Sequence, residues 1–271
     1  MTRTAILTGT ARGIGRSVAS RLAQDGFAIA VNSAGNVREA KETVANITES
    51  GGKAIAVQAD VTNEDEVKRL FENVMLKFGR IDVVVNNISI MALSSIARGD
   101  IDTFDELIRV NLRGTFLVFA QSATHIADGG RIIAFSSSLL EQNLPSYGAY
   151  VASKAGVEAL VRVLASELRG RRVTVNAVAL ESVAAEVLED DKDTEQVGQL
   201  SELAQLEHRE AHDIVRVVSF LAGPDGGWVS GQVIPIREGL RARSFEGASA
   251  MGMVREHCGG LEGIADPARA R

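Results

Sequence analysis

Two side chains that can carry acid–base chemistry lie one helical turn apart in the second half of the chain. Tyr150 and Lys154 are four residues apart, so in a helix they share one face. A free tyrosine, with a pKa of about 10, is a poor acid at neutral pH, and a nearby ammonium group lowers that pKa. The pair therefore predicts a tyrosine that acts as a general acid. Tyr147 lies close by but has no lysine four residues on.

A glycine-rich turn near the N-terminus indicates a second kind of chemistry, the binding of phosphate. The stretch LTGTARGIGRS (7–17) places Gly9, Gly13 and Gly15 between an apolar run and a helical pattern. Glycine at a helix start costs about 1 kcal/mol relative to alanine, so three of them require a reason. They permit a tight turn, close approach of backbone to a ligand and close helix–strand packing, and free N–H groups at the helix start favour a pyrophosphate. A tight turn alone also selects glycine.

Short apolar runs alternate along the chain with longer segments of helical period. Seven runs are strand candidates: 4–9, 28–32, 53–60, 81–87, 131–137, 172–179 and 232–236. Six segments have helical periodicity: 14–25, 37–50, 64–78, 103–127, 150–169 and 211–222. Nearly continuous apolar strands that alternate with helices are typical of a parallel sheet buried on both faces. We expect an α/β fold, a single doubly wound Rossmann-type domain over 1–239, with a seven-stranded parallel sheet flanked by helices.

Composition restricts the class of protein. The 271 residues are 45% hydrophobic and carry a formal net charge of -6, which argues against a nucleic-acid partner. One cysteine excludes an intrachain disulfide and fits a reducing compartment. No apolar stretch is long enough to span a membrane, and the start of the chain lacks a signal-peptide pattern. We expect a cytoplasmic protein without a membrane or nucleic-acid partner.

Two stretches interrupt the alternation. Residues 186–213 hold ten acidic residues, and we expect them to form a mobile lid over a substrate. Residues 240–271 are rich in glycine, alanine and arginine, and we expect a tail that is disordered or lies at a subunit interface. His208 and His212 are four residues apart, but no third ligand is evident, so we expect a helix surface and no metal site.

The spacing Gly-x-x-x-Gly-x-Gly after a threonine resembles that of the short-chain dehydrogenase/reductase family, and the resemblance covers roughly residues 3–239. Further matches are the Asp-Val pair after the third strand, the Asn-Asn pair after the fourth, and Tyr-x-x-x-Lys with Ser137 thirteen residues before the tyrosine. The resemblance implies four catalytic residues: Asn111, Ser137, Tyr150 and Lys154. Tyr150 would donate the proton, Ser137 would bind the substrate oxygen, Lys154 would hold the nicotinamide ribose, and Asn111 would hold a water for proton relay.

The same resemblance implies a set of cofactor-binding residues. They are Gly9, Arg12, Gly13, Ile14, Gly15, Asn32, Ser33, Asp60, Val61, Asn87, Tyr150, Lys154 and Val183. Some have simpler interpretations from the sequence alone. Asp60 fits a helix cap for the segment that follows it, and Asn111 fits an ordinary polar helix residue.

The end of the second strand indicates which nicotinamide cofactor is bound. NAD-preferring members usually carry an acidic residue there, which binds the ribose 2′-hydroxyl. This chain has Asn32 and Ser33 instead, and Arg12 in the glycine turn supplies a guanidinium that can bind a 2′-phosphate. We expect NADP(H). A solvated loop charge is the alternative for Arg12.

Five residues, in three places, depart from the family pattern on the nicotinamide side. Ile88-Ser89 stands where the family has Ala-Gly, Leu180-Glu181 stands for Pro-Gly, and Ala185 stands for a threonine that binds the carboxamide. We expect these departures to weaken the hold on the nicotinamide and to slow turnover on generic ketones.

The function that the resemblance implies is the NADP-dependent reduction of a ketone to a secondary alcohol. Because an acidic lid repels anionic substrates, we expect a small neutral or aromatic polyketide-type substrate. The basic cluster Arg169, Arg171 and Arg172 keeps open a 3-oxoacyl-carrier-protein-type reductase. A family member used for a non-redox or regulatory purpose is a further alternative. The family also implies a homo-oligomer, a tetramer or dimer, paired through the helices that match 103–127 and 150–169.

Overall fold

Seven parallel strands form one sheet in the order β3-β2-β1-β4-β5-β6-β7. The computed structural model describes residues 2–10, 13–180 and 207–236, with 207–211 described through their backbone only. The strands are β1 Thr4–Thr8, β2 Ala28–Ser33, β3 Lys53–Gln58, β4 Val83–Asn86, β5 Arg131–Ser137, β6 Thr174–Leu180 and β7 Val233–Ile236. Every residue of β1, β2, β4 and β6 is buried. Burial on both faces explains their continuous apolar runs and confirms the predicted parallel sheet.

Helices cover both faces of this sheet. Their bounds are α1 Gly13–Gln24, α2 Val37–Glu49, α3 Glu64–Phe78, α4 Ile101–Leu107, α5 Gly114–His125, α6 Gly148–Glu167 and α7 Glu207–Ala222. Apolar residues of α1, α2 and α7 pack on one face of the sheet, and those of α3, α5 and α6 pack on the other. The described residues all belong to one compact unit, Met1–Arg237. The fold is therefore the predicted doubly wound α/β arrangement.

The predicted single helix over 103–127 is wrong in detail. The chain forms α4, then a π-helical segment over Ile108–Arg113, and only then α5. A π-helical turn inserts an extra residue, and such turns are frequent at functional sites. This one contains Asn111, which is buried, and the hydroxyl of Thr115 donates to the Asn111 carbonyl oxygen at 2.6 Å. Apolar periodicity cannot reveal the insertion, because both kinds of helix keep one face buried.

The strand order reverses between β1 and β4, and this reversal creates a crevice at one edge of the sheet. Connections run outward from β1 to β2 and β3, and the chain then returns to β4 on the other side of β1. In open parallel sheets, ligands bind outside the carboxyl ends of strands at such a switch point. Thr8, Asn86 and Ser137 are the last residues of β1, β4 and β5, so they lie at this edge.

No helix in the described ranges combines the length and the apolar character needed to cross a bilayer.

Candidate active site

The glycine turn between β1 and α1 has the conformation that its glycines were expected to permit. Gly9 and Gly13 have φ angles of 62° and 58°, values that disfavour residues with a Cβ. A Cβ on Gly15 would lie 2.8 Å from Cα of Thr10 and 2.9 Å from the carbonyl oxygen of Gly9. The turn therefore needs glycine at these positions. Arg12 lies outside the described residues.

Helix α1 begins at Gly13 and has no acidic side chain in its first turn. Its free N–H groups and dipole therefore offer a positive end to an anion, with no carboxylate in the first turn to compete for it. Ile14, the second residue of the helix, packs partly against the core on that side of the sheet. The helix start is thus fixed in position by its own apolar contacts.

The end of β4 is tied to the glycine turn by its two asparagines. Asn86 is buried, accepts a hydrogen bond from the hydroxyl of Thr8 at 2.9 Å and donates to the hydroxyl of Thr115 at 2.8 Å. Asn87 donates from Nδ2 to the carbonyl oxygen of Gly9 at 2.7 Å, and its backbone N–H donates to Thr8 Oγ1 at 3.1 Å. These bonds hold the turn against β4, which is a structural role for Asn87 in addition to the predicted cofactor contact.

Asn32 and Ser33 end β2 but differ in what their side chains do. The Nδ2 group of Asn32 donates to the carbonyl oxygens of Val57 at 3.2 Å and Ala59 at 2.9 Å, so it braces β2 against β3. The Ser33 hydroxyl accepts a hydrogen bond from the backbone N–H of Asn36 at 3.0 Å. The amide hydrogens of Asn32 are therefore used in bonds that stabilise the sheet. The described hydrogen bond of the Ser33 hydroxyl uses it as an acceptor.

Asp60 does not cap the helix that follows it, although the sequence left that interpretation open. The cap of α3 is Asn63, whose side chain accepts from the N–H groups of Asp65 and Glu66. The Asp60 carboxylate instead accepts from the backbone N–H of Thr62 at 2.8 Å. The neighbouring Val61 is buried in the core. Asp60 is thus fixed at the edge of the sheet by a tight turn of its own.

Ser137, Tyr150 and Lys154 meet where β5 and the start of α6 come together. Ser137 is the last residue of β5 and Tyr150 is near the first turn of α6, and both side chains are buried. The phenolic oxygen of Tyr150 makes no hydrogen bond to the part of the chain that the structure describes. Burial raises the pKa of Tyr150, and the nearby hydroxyls of Ser137 and Ser89 lower it in part.

Lys154 lies beside this tyrosine but does not act on its pKa in the predicted way. Its ammonium group lies 6.0 Å from the centroid of the Tyr150 ring and donates to the carbonyl oxygen of Phe135 at 3.0 Å. Burial lowers the pKa of Lys154 to about 8. The net shift of the Tyr150 pKa is therefore upward and not downward as expected, because desolvation is its largest cause and the groups that lower it are the two serine hydroxyls.

The side chain of Asn111 fixes the backbone of the loop after β4. Its Oδ1 accepts from the backbone N–H of Ile90 and its Nδ2 donates to the Ile90 carbonyl oxygen, each at 2.8 Å. Nδ2 also donates to Ser153 Oγ at 3.1 Å, and Ser153 donates to the carbonyl oxygen of Tyr150 at 2.7 Å. Both amide hydrogens are therefore used by the protein. A relay water, as the resemblance implies, would have to bind elsewhere on Asn111.

Ile90 and Ser153 are two partners that the sequence analysis missed. Ile90 takes part through its backbone, which no residue type signals. Ser153 stands between Tyr150 and Lys154 in the same helix, and its spacing from Tyr150 is the only signal that could have found it. Ser89 is expected from the sequence only to weaken the hold on the nicotinamide, but its hydroxyl also lowers the pKa of Tyr150.

Several predicted features lie outside the described residues. They are Arg12, Val183, Glu181, Ala185, most of the acidic segment 186–213 and the tail 240–271. Leu180, the last residue of β6, is buried among apolar residues of the α1, α2 and α7 side. The His212 side chain is largely exposed and lies 3.8 Å from Asp213. The described ranges hold no group of three or more histidine, cysteine or acidic residues arranged to bind a metal.

Comparisons with known proteins find relatives that match most of this chain. A family model described as enoyl-(acyl carrier protein) reductase matches residues 9–241. An NADPH-dependent aldehyde reductase-like protein, chloroplastic, of Arabidopsis thaliana is 37% identical over 252 residues, which cover 88% of this chain and 93% of the relative. A 3-oxoacyl-(acyl-carrier-protein) reductase of Staphylococcus aureus is 35% identical over 242 residues, which cover 89% of this chain and 98% of the relative.

Solved structures of dehydrogenases also match most of this chain. A short-chain dehydrogenase from Burkholderia cenocepacia, crystallised in complex with NADP, is similar with a TM-score of 0.76 and 30% identity, and the match covers 86% of this chain and 96% of that one. A dehydrogenase/reductase from Sinorhizobium meliloti has a TM-score of 0.76 and 31% identity, with 86% of this chain and 93% of that one covered.

Proposed function

Because the chain belongs to the short-chain dehydrogenase/reductase family of oxidoreductases, we propose that it uses NADPH to reduce the ketone of a small neutral or aromatic substrate to a secondary alcohol. The observation that carries the proposal is the buried hydroxyl of Tyr150, which has no hydrogen-bond partner among the described residues and lies beside Ser137. A buried hydroxyl left unpaired costs about 1–3 kcal/mol, so its partner is expected to be a ligand atom.

The residues present fit a dinucleotide. Gly9 and Gly13 have positive φ angles that disfavour side chains, and a Cβ on Gly15 would collide with backbone atoms of Thr10 and Gly9. The start of α1 offers unpaired N–H groups to a pyrophosphate. Lys154 donates one described hydrogen bond, to Phe135, and an ammonium group has three hydrogens, so it can also hold ribose hydroxyls.

NADPH is favoured over NADH by the end of β2. Neither Asn32 nor Ser33 is acidic, so no carboxylate at these two positions repels a 2′-phosphate. Arg12 supplies a guanidinium in the glycine turn, and relatives of this chain were crystallised with NADP or NADPH.

The proton reaches the substrate oxygen from Tyr150. When bound, the reduced nicotinamide supplies a hydride. Ser137 donates a hydrogen bond that holds the carbonyl oxygen near the phenol, and Tyr150 then gives that oxygen its proton as negative charge develops there. Asn111 keeps the loop after β4 in place, which fixes the wall of the site next to Tyr150.

A 3-oxoacyl-carrier-protein reductase is the second candidate, and the Staphylococcus aureus relative favours it. The basic cluster that suggested this candidate consists of Arg169, Arg171 and Arg172, and one of its members makes hydrogen bonds within the protein. The Arg171 guanidinium pairs with Asp128 at 2.9 Å and donates to the carbonyl oxygens of Ala123 and Ile126. Arg171 is therefore less available to an acidic carrier protein, which leaves the neutral ketone as our first choice.

One experiment tests the proposal. The purified protein is incubated with NADPH or NADH and a panel of neutral ketones, aromatic polyketide-type ketones and β-ketoacyl thioesters, and nicotinamide absorbance is followed. We expect consumption of NADPH with a neutral ketone, at a rate at least about a hundredfold lower in the Tyr150→Phe variant. Faster reduction of the thioesters would favour the second candidate. No consumption with any ketone, although NADPH binds, would overturn both.

A further inference from the structure

A continuous chain of buried hydrogen bonds runs from the glycine turn to helix α6. It begins at Thr8, whose hydroxyl accepts from the Asn87 N–H at 3.1 Å and donates to Asn86 Oδ1 at 2.9 Å. Asn86 donates from Nδ2 to the hydroxyl of Thr115 at 2.8 Å, and Thr115 donates to the carbonyl oxygen of Asn111 at 2.6 Å. The first half of the chain therefore leads from the end of β1 into the π-helical segment.

The second half leads from the π-helical segment to the backbone of Tyr150. Asn111 donates from Nδ2 to Ser153 Oγ at 3.1 Å, and Ser153 donates to the carbonyl oxygen of Tyr150 at 2.7 Å. The residues whose side chains form this network are at most 3% exposed: Thr8, Asn86, Thr115, Asn111 and Ser153. Because the network is shielded from water, breaking one of its bonds leaves buried polar groups without a replacement partner.

Thr115 occupies the point at which this network enters the helix. A threonine hydroxyl has one hydrogen to donate and lone pairs to accept, and Thr115 uses both functions, toward Asn111 and from Asn86. Asn111 lies four residues before it, and a hydroxyl bond to a carbonyl oxygen four residues back often bends a helix. The helix is irregular here, since the Gly114 N–H bonds to the carbonyl oxygen of Arg109, five residues back. The Thr115 hydroxyl thus contacts the helix where it departs from α-helical geometry.

The position of Asn111 affects two walls of the site. Its side chain binds both backbone polar groups of Ile90 and the hydroxyl of Ser153. A shift of the π-helical turn would therefore move the loop after β4 and the start of α6 together. The hydroxyl of Tyr150 makes no hydrogen bond to the described residues, so within them only packing and the α6 backbone determine where it lies.

We propose that Thr115 is a positioning residue that acts through Asn111: its hydroxyl holds the π-helical turn in the geometry that places Tyr150 for proton transfer. In this proposal Thr115 touches neither substrate nor cofactor. Its effect on the reaction rate rests on the proposed function, whereas its effect on the position of Tyr150 can be measured without any reaction.

Three variants isolate the hydroxyl. Thr115→Val removes it but keeps the branched shape of the side chain, and Thr115→Ser retains it. Ser122→Ala is the matched control, because Ser122 is also buried in α5 and its hydroxyl also bonds a carbonyl oxygen four residues back, that of Val118, at 2.7 Å. This bond lies within α5 and outside the network, so a general loosening of α5 should appear in the control as well.

The position of Tyr150 can be followed by fluorine NMR, because the chain has two tyrosines, Tyr147 and Tyr150. With meta-fluorotyrosine incorporated at both, each gives a resonance, and the Tyr147→Phe variant assigns them. We expect Thr115→Val to shift or broaden the Tyr150 resonance, and Thr115→Ser to leave it near its original position. In Ser122→Ala the resonance should not move.

Kinetics provide the second measurement, with NADPH and the ketone that the substrate panel identifies. We expect Thr115→Val to lower kcat about three- to tenfold, as for the loss of one hydrogen bond, and Thr115→Ser to recover most of this loss. KM for NADPH should change little, because the glycine turn keeps the bond from Asn87 to Gly9. Ser122→Ala should retain kcat.

The outcomes separate the two proposals. An unchanged Tyr150 resonance in Thr115→Val would overturn the role of Thr115, whether or not the protein reduces a ketone. An equal change in Ser122→Ala would also overturn it, and a shifted resonance with unchanged kcat would overturn its part in catalysis. If the resonance shifts only in Thr115→Val but the unmodified protein reduces no ketone, the proposed function fails and the positioning of Tyr150 by Thr115 is supported. Should Thr115→Val not fold, Thr115→Ala, which leaves room for a water, is measured in its place with the same expected shift.

Discussion

The ammonium group of Lys154 lies 6.0 Å from the ring centroid of Tyr150 and is hydrogen-bonded to the Phe135 carbonyl oxygen at the end of β5. Both side chains are almost fully buried. Their burial has opposite effects on the two groups, because it raises the pKa of Tyr150 and lowers that of Lys154. Burial thus shifts both groups toward their uncharged forms: the site holds a tyrosine that carries its proton at neutral pH, and a lysine that is still mostly charged there because its pKa is about 8.

Replacing Tyr150 by phenylalanine should lower ketone reduction by at least about a hundredfold, because general acid catalysis typically contributes that much. The fold should survive, since the hydroxyl makes no hydrogen bond to the described residues. NADPH affinity, measured by fluorescence titration, should be retained. Tyr147→Phe is the matched control and should reduce the rate far less. Equal losses in the two variants would mean that Tyr150 is not the proton donor.

Lys154 should make the free energy of unfolding rise with pH in the alkaline range. Burial lowers its pKa from 10.5 to about 8, so between these values the unfolded chain holds a proton that the folded chain lacks. Stability therefore rises with pH across this window. Below it both states are protonated, and the buried charge costs up to about 3 kcal/mol.

Lys154→Met should consequently raise the free energy of unfolding at pH near 7, and the gain should shrink as the pH rises toward about 10. Urea denaturation of both proteins at several pH values measures this difference. Lys41→Met, at an exposed position of α2, is the control and should show no such trend. A gain in stability that stays constant with pH would contradict the buried charge as its cause.

The sequence contained enough to predict the sheet but not the details of the site. Continuous apolar runs at β1, β4 and β5 locate buried parallel strands, and the helical period over 64–78 gives both ends of α3. These local signals survive in the structure because each agrees with the packing around it.

What the sequence missed depends on contacts between distant parts of the chain. The π-helical turn contains Asn111, whose side chain bonds to Ile90 and Ser153, 21 and 42 residues away. The pKa of Tyr150 depends on how deeply α6 is buried, which residue spacing does not give. The assignments of cofactor contacts stay predictions, and Arg12 and Val183 in addition lie outside the described ranges.

Gly15 should tolerate no side chain. In Gly15→Ala the new Cβ would meet Thr10 and Gly9 backbone atoms below 3.0 Å, so the turn must move. We expect a loss of about 1–3 kcal/mol in the free energy of unfolding, as for overpacked sites, together with weaker NADPH binding. Gly35→Ala is the control, because its Cβ would meet nothing within 4 Å. Unchanged NADPH affinity in Gly15→Ala would exclude this turn as the phosphate site.

The end of β2 allows a test of cofactor choice by two neighbouring substitutions. Within the described ranges, the Ser33 hydroxyl accepts one hydrogen bond, from the Asn36 N–H, and an aspartate carboxylate can accept it equally well. Ser33→Asp should therefore fold normally, and its carboxylate should repel a 2′-phosphate and accept a bond from a ribose 2′-hydroxyl. We expect the preference for NADPH over NADH to fall about tenfold or more, which corresponds to about 1.4 kcal/mol.

Asn32→Asp should behave differently, although it introduces the same charge one residue earlier. Asn32 donates two hydrogen bonds to the carbonyl oxygens of Val57 and Ala59 and is fully buried, so a carboxylate there would face two acceptors. We expect a loss of about 3 kcal/mol or more in the free energy of unfolding, since a buried charge without a partner is costly. Urea denaturation and NADPH/NADH rate ratios distinguish the two variants. If Ser33→Asp is the unstable one, or if it keeps the full NADPH preference, then the 2′-phosphate is not recognised at the end of β2.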